Sequence, residues 1–226
     1  MHIKYEIIII IGSLALYGEE RKMKISHVLY KVDNLEKAVE DFRKQGYIVE
    51  YGSEKDPHNA LIYFSEGPYI ELITDSNMPL FIKIMLTLFG KKPFVDSMEK
   101  INTHKEGYMR FAIDGNDTDF IKEKKIFKQY KRNIIKVPIK RVDVKNRILK
   151  CKCLFPFDST LPFIKTQFNI NPRPKNFIHP NGAKKIKKVR YGTSSEDIQV
   201  IKKLCSDKIL EVYVGEHKME VEIQFN

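Results

Sequence analysis

The segment GPYIELIT, residues 67–74, places one carboxylate, Glu71, among apolar neighbours. The run has a strand's composition, so Tyr69, Glu71 and Ile73 project to one face and Ile70 and Leu72 to the other. A carboxylate in apolar company is costly unless something pairs with it. It could pair with a cation, ligate a metal or act as a general base. If desolvated, its pKa would rise toward that of a useful base. Three histidines and two asparagines also occur where chemistry is conceivable. His27 lies in KISHVLYKV (24–32). His58 and Asn59 stand at the mouth of NALIYF. His179 and Asn181 belong to the turn HPNGA. His27 reads as a hydrogen-bonded polar group, a metal ligand or an acid/base. His58 reads as a loop-end cap or a substrate contact. His179 and Asn181 read as parts of a rigid turn or as groups reaching a pocket.

Three cysteines occur, Cys151, Cys153 and Cys205. C-x-C in a strand points both thiols to one face and lacks the C-x-x-C spacing of a zinc site. They read as structural thiols in a reducing, cytoplasmic setting. The net charge is +11, and residues 122–152 hold thirteen Lys or Arg against Glu123 and Asp143. This segment reads first as the solvated side of a helix and two strands, next as a rim attracting an anionic substrate, and last as a nucleic-acid face. No phosphate-loop, dinucleotide, nucleophile-elbow or HExxH motif is present.

The elements that must position these residues follow a repeated pattern. KISHVLYKV is a strand. DNLEKAVEDFRKQG is a helix with Asp33 and Glu36 as its capping box and Leu35, Ala38, Val39 and Phe42 as its apolar stripe. YIVEYG, NALIYF and YIELI are short strands, which gives the order β-α-β-β-β. GYMRFAI (107–113) starts a second copy, with a helix turning Phe120, Ile121 and Phe127 inward. The strands IIKVPIKRVDV, RILKCKCLFPF and LPFIKTQF complete it. A shorter third copy starts at KKIKKVRYG (184–192), with Ser194 and Asp197 capping a helix that turns Ile198, Ile201 and Cys205 inward. First strands thus recur at intervals of roughly 80 residues.

The expected organisation is an extension (1–22), a first module (23–75), a helical insertion (76–107), a second module (108–168), a linker (169–183) and a third unit (184–226). The extension, with its apolar run IIIIIGSLALY, reads as an over-extended translation start ahead of Met23, as a signal or anchor segment, or as an extra element. The insertion SNMPLFIKIMLTLFGKK reads as one apolar helix buried against the sheet or in a homodimer interface, rather than as a membrane contact.

The stretch ISHVLYKVDNLEKAVEDFRKQGYIVEYG…PHNALIYFSEGPYIELI, together with HPNGAKKIKKV, resembles the glyoxalase-like domain of the vicinal oxygen chelate superfamily. The resemblance implies an α+β fold in which paired modules form a curled mixed sheet around a pocket. It also implies a divalent metal held by a His on the first strand and a Glu on the last strand of each module. Carried onto this chain, those positions are His27 and Glu71 in the first module. Counted back from the strand end, the second module offers Tyr108, with Arg110 nearby, and Thr166 or Gln167. That set is incomplete. The expectation is therefore a lyase, isomerase or dioxygenase-type enzyme acting on a small oxygenated metabolite. His27 and Glu71 would be its catalytic and metal-binding residues. His58, Asn59, Tyr108, Arg110, His179 and Asn181 would contact the substrate. The alternative is a metal-free binding or sequestering protein of the same fold. Expected partners are a small molecule and a second copy of the chain, with neither nucleic acid nor membrane.

Overall fold

A computed structural model describes residues 23–76, 78–115, 118–175 and 177–226, so the apolar run before Met23 lies outside the described residues. Strand β1 (Ile25–Lys31) leads into α1 (Leu35–Lys44), then β2 (Glu50–Tyr51), β3 (Asn59–Ile62) and β4 (Tyr69–Ile73). Two helices follow, α2 (Leu80–Leu88) and α3 (Lys92–Thr103). The pattern then repeats as β5 (Gly107–Asp114), α4 (Ile121–Gln129), β6 (Ile134–Val142), β7 (Ile148–Pro156) and β8 (Phe163–Lys165). Eight strands form one mixed sheet in the order β2-β3-β4-β1-β5-β8-β7-β6. In each half the first strand runs parallel to the last, and the remaining strands are antiparallel. The halves meet where β1 pairs antiparallel with β5. The fold is the α+β, curled mixed sheet of repeated β-α-β-β-β units that the sequence suggests.

The central strands are apolar on both faces, as burial requires. On one face Val28, Phe64, Ile70, Phe111, Phe120, Phe127 and Tyr191 form the larger core beneath α1 and α4. On the other, Leu29, Ile101, Met109, Ala112, Cys151, Cys153 and Phe163 form a smaller one. β6 is an edge strand, which tolerates Pro138 because the missing N–H leaves no central ladder broken. A second sheet, in the order β10-β9-β11, comes from β9 (Ala183–Thr193), β10 (Leu210–Val214) and β11 (Lys218–Phe225), with α5 (Ser195–Leu204) between its parallel strands. Tyr191 brings it edge-on to Phe111 of the large sheet, with ring centroids 5.2 Å apart.

Four local readings change. The insertion forms two helices, because Gly90 stops α2 at φ +69° and Pro93 starts α3. The first of them leaves Leu80, Phe81, Leu88 and Phe89 exposed and packs against α3 rather than the sheet. Asn34, not Asp33, caps α1 by accepting from Lys37 N–H, while Asp33 pairs with Lys31 at 3.0 Å. Phe120 is fully buried in the left-handed N-cap position of α4, which turns the next residue, Ile121, outward. No described helix is long and apolar enough to cross a membrane.

Candidate functional site

The concave face of the large sheet encloses a cavity of about 200 Å³. Leu29, Ile73, Ile101, Met109, Ile139 and Phe168 make its walls largely apolar. Glu71 and His27 lie on the parallel neighbours β4 and β1, two residues apart in register, since His27 faces Tyr69 and Leu29 faces Glu71. This diagonal brings His27 Nε2 within 3.1 Å of Glu71 Oε2. Asn59 Nδ2, from β3, donates to Glu71 Oε1 at 2.6 Å.

Burial pushes the Glu71 carboxyl up, but the bonds from His27 and Asn59, the His27 charge and the nearby Arg141 more than offset it. The net pKa falls to about 2. The expected rise toward a useful base does not occur, because the carboxylate is fully hydrogen-bonded. Glu71 has no proton to give at neutral pH, so Nε2 of His27 carries the one they share. Nδ1 of His27 is buried and meets no hydrogen-bond partner among the described residues. The ring itself is held by stacking on Tyr69 at 4.7 Å and by the edge contact with Phe163 at 5.6 Å.

The two halves of the sheet can be matched position by position. β1 carries its extra, bulged residue at Ser26, and β5 carries its own at Met109. Val32 N–H donates to the Ile73 carbonyl, and Gly115 N–H to the Lys165 carbonyl. Both markers make Arg110 the counterpart of His27, Phe163 that of Glu71 and Lys165 that of Ile73. The apolar run ends at Ile113, but the strand reaches Asp114 and Gly115 takes the place of Val32. Counting back from Ile113 therefore lands two residues too far back, at Tyr108 instead of Arg110. Thr166 and Gln167 likewise fall beyond Phe163.

Arg110 lines the cavity over the ring of Phe163, 5.5 Å from its centroid. Its Nε donates to the Leu161 carbonyl at 2.7 Å. Burial lowers its pKa to about 10, which leaves it a cation at neutral pH. Two further cations enter the cavity, Arg141 from β6 and Lys165 from β8. Lys165 is buried, donates to the Thr166 carbonyl at 3.1 Å and stands 4.2 Å above the ring of Phe168. Arg141 donates to the Gly52 carbonyl. Neither makes an ion pair with a carboxylate among the described residues.

The structure thus brings His27, Glu71, Asn59 and Arg110 together at one cavity. His58 is exposed and accepts at its carbonyl from Thr74. Tyr108 packs edge-on to Tyr30 at 4.8 Å, in the core on the opposite face. His179 is buried in that core beside Phe64, Phe177 and Tyr47, with Nδ1 accepting from Ile48 N–H. Asn181 holds the turn against the end of α1, donating to the Gln45 carbonyl beside Gly46, whose φ of +82° a side chain would strain. Arg141 and Lys165 escaped sequence reasoning. Strand parity was the available signal: Arg141 shares a face with Val137 and Ile139, and Lys165 with Phe163.

A divalent ion would need His27, Glu71 and two donors from the other half, where Arg110 and Phe163 stand. His27 Nε2 and Glu71 already bond to each other, and three cations line the same cavity. Among the described residues, no three His, Cys, Asp or Glu side chains group to hold a metal. The residues do not fit the ion.

No curated protein matches the sequence. Among solved structures, the chain is similar to a hypothetical protein from Staphylococcus aureus at 16% identity and a TM-score of 0.57, covering 86% of this chain and 87% of that one. It is also similar to the Mn(II)-bound glyoxalase from Novosphingobium aromaticivorans at 10% identity and a TM-score of 0.53, covering 88% of this chain and 64% of that one. At such identities the likeness shows the fold. Residues 25–204 match the family described as the glyoxalase-like domain, spanning both halves of the sheet and the cavity between them. The chain belongs to the glyoxalase-like domain family.

Proposed function

We propose that this protein is a metal-independent enzyme of lyase or isomerase type, acting on a small metabolite with an apolar body and an anionic or enolisable oxygen. One observation carries the reading: Lys165 and Arg141 enter an apolar cavity without a direct ion pair to a carboxylate among the described residues, facing the wall that holds His27 and Glu71. A cation in such surroundings is stabilised by an anion brought in by the ligand. In this scheme Lys165 and Arg141 hold the anionic oxygen and stabilise the charge that grows on it during reaction. His27 accepts a proton at Nδ1, while Glu71 holds the ring and supports the imidazolium, as a carboxylate does for a general base. Asn59 fixes the Glu71 carboxylate. The three free, buried thiols support a reducing, cytosolic location.

A second reading, sequestration of the same ligand without turnover, is favoured by the burial of Nδ1, which a substrate must reach for proton transfer. The test is a calorimetric panel of small 2-oxo and 2-hydroxy acids against their neutral amides, followed by NMR of any acid that binds. We expect the acids to bind and the amides to bind at least about tenfold more weakly, the value of one charge-assisted contact. Lys165→Met should remove that preference. Exchange of the α-proton with solvent deuterium, lost in His27→Asn, supports the enzyme. Binding without exchange supports sequestration. Equal binding of acids and amides removes both readings.

A further inference from the structure

Two thiols face the cavity, and the scheme above uses neither. Cys151 and Cys153 sit two apart on β7, so both point to its concave face, and both line the cavity. Charge reaches them from the two neighbouring strands and from across the cavity. Lys165 on β8 is directly opposite Cys153 in register. On β6 Ile139 is opposite Cys151, and Arg141 stands two residues further along the same face. Among the described residues, Glu71 on β4 is the one carboxylate that lines the cavity with them.

The third cysteine provides a contrast. Cys205 lies in the core on the other face of the sheet, among apolar side chains, where burial pushes its thiol up to about 12. At Cys151 the hydrogen bond from Cys153 pulls the pKa down. Burial opposes that, while the Lys165 and Arg141 charges add to it. Cys153, as donor in that bond, moves in the opposite direction, well above the ordinary thiol range.

We propose that Cys151 is the nucleophile of a covalent site for a small α,β-unsaturated carbonyl compound. The Cys151 thiol gives its proton to water, and the resulting thiolate forms a C–S bond at the β-carbon. The π pair of the C=C bond moves onto the carbonyl oxygen, giving an enolate that Lys165 and Arg141 face. The α-carbon takes the proton of the Cys153 S–H, and the Cys153 thiolate is reprotonated by water. The net change is addition of S–H across the double bond, with no oxidant, reductant or metal. Proton transfer at His27 plays no part, so this site and the proposed enzyme can fail separately.

The experiment treats the folded, full-length protein with methyl vinyl ketone from mildly acidic to mildly alkaline pH, with intact mass and peptide mapping over time. We expect one adduct, at Cys151, forming at least about tenfold faster than any at Cys205 of the same molecules. Comparing sites within one chain keeps the result readable even if Cys151→Ser folds poorly. In Cys153→Ala the adduct should still form at Cys151, with its rate profile displaced to higher pH because the donated hydrogen bond is gone. Equal labelling of Cys151 and Cys205, first labelling at Cys153, or no adduct before unfolding would each overturn the proposal.

Discussion

On β1 and β4, matched positions of the cavity hold His27 and Glu71, joined at 3.1 Å. On β5 and β8 the same positions hold Arg110 and Phe163, a guanidinium over a ring at 5.5 Å. The two halves share element order and strand pairing, down to one bulge per first strand and one carbonyl bond after each. The chemistry is opposite in sign. One half offers an acceptor and a base, the other cations and aromatic surface. The repeat therefore dictates where side chains point, not what they are. A site that two matched His/Glu pairs would make a metal cage becomes a polarised cavity when one pair is replaced.

The sharpest way to break the first half is Glu71→Ala. It leaves the His27 Nε2–H and an Asn59 N–H without their acceptor. We expect a loss of about 3 kcal/mol in urea unfolding, toward the low end for a broken buried pair. Glu71→Gln keeps an oxygen in place and should cost roughly half as much, since one partner stays satisfied.

That pair also shows what could be read before folding. Glu71 attracts notice because its strand alternates cleanly, and parity alone puts it on a face with Tyr69 and Ile73. His27 lies in a strand apolar on both faces, so periodicity does not mark it; the family resemblance did. The second half is harder because the β5 strand outlasts its apolar run, so a count from Ile113 misses Arg110. Lys165 and Arg141 sat in a basic stretch whose other lysines do face solvent, and bulk charge hid two that turn inward. HPNGA carried a strong local signal, but its His179 and Asn181 tie the end of α1 to β9 on the far face.

Rebuilding the second half should sharpen the comparison. Arg110→His with Phe163→Glu would restore a four-donor set on a backbone already arranged for it. We expect the double variant, unlike the parent, to be stabilised by added manganese(II), by about 2.7 kcal/mol at a hundredfold excess over the dissociation constant. Thermal unfolding with and without the ion, then with chelator, is the measurement. Equal stabilisation of the parent would show that the metal never needed the missing pair.

Acid provides a milder test. The Glu71 pKa falls from 4.5 to about 2 on folding, so ionised Glu71 stabilises the fold fully above its unfolded value. That contribution drains away as the pH drops from 4.5 toward about 2, and is worth on the order of 3 kcal/mol. The drop in stability over that window should shrink in Glu71→Gln. An unchanged acid profile would mean that the carboxylate is not held ionised by its partners.

The smallest expected effect runs in the opposite direction. Ile73 and Lys165 are matched positions, so Lys165→Ile makes the second half imitate the first. A buried ammonium that, among the described residues, bonds one carbonyl and no carboxylate is an expensive group to keep. An isoleucine there would satisfy the same apolar wall without that cost, and we expect a gain of about 1 kcal/mol in urea unfolding. The same change should remove the preference for acids over amides in the calorimetric panel. Stability and ligand preference would then move apart at one residue, as they do when a side chain is retained for what it binds. If Lys165→Ile instead destabilises the protein, the lysine is holding the fold through its bond to Thr166. The polarity of the second half would then be structural rather than a provision for a ligand.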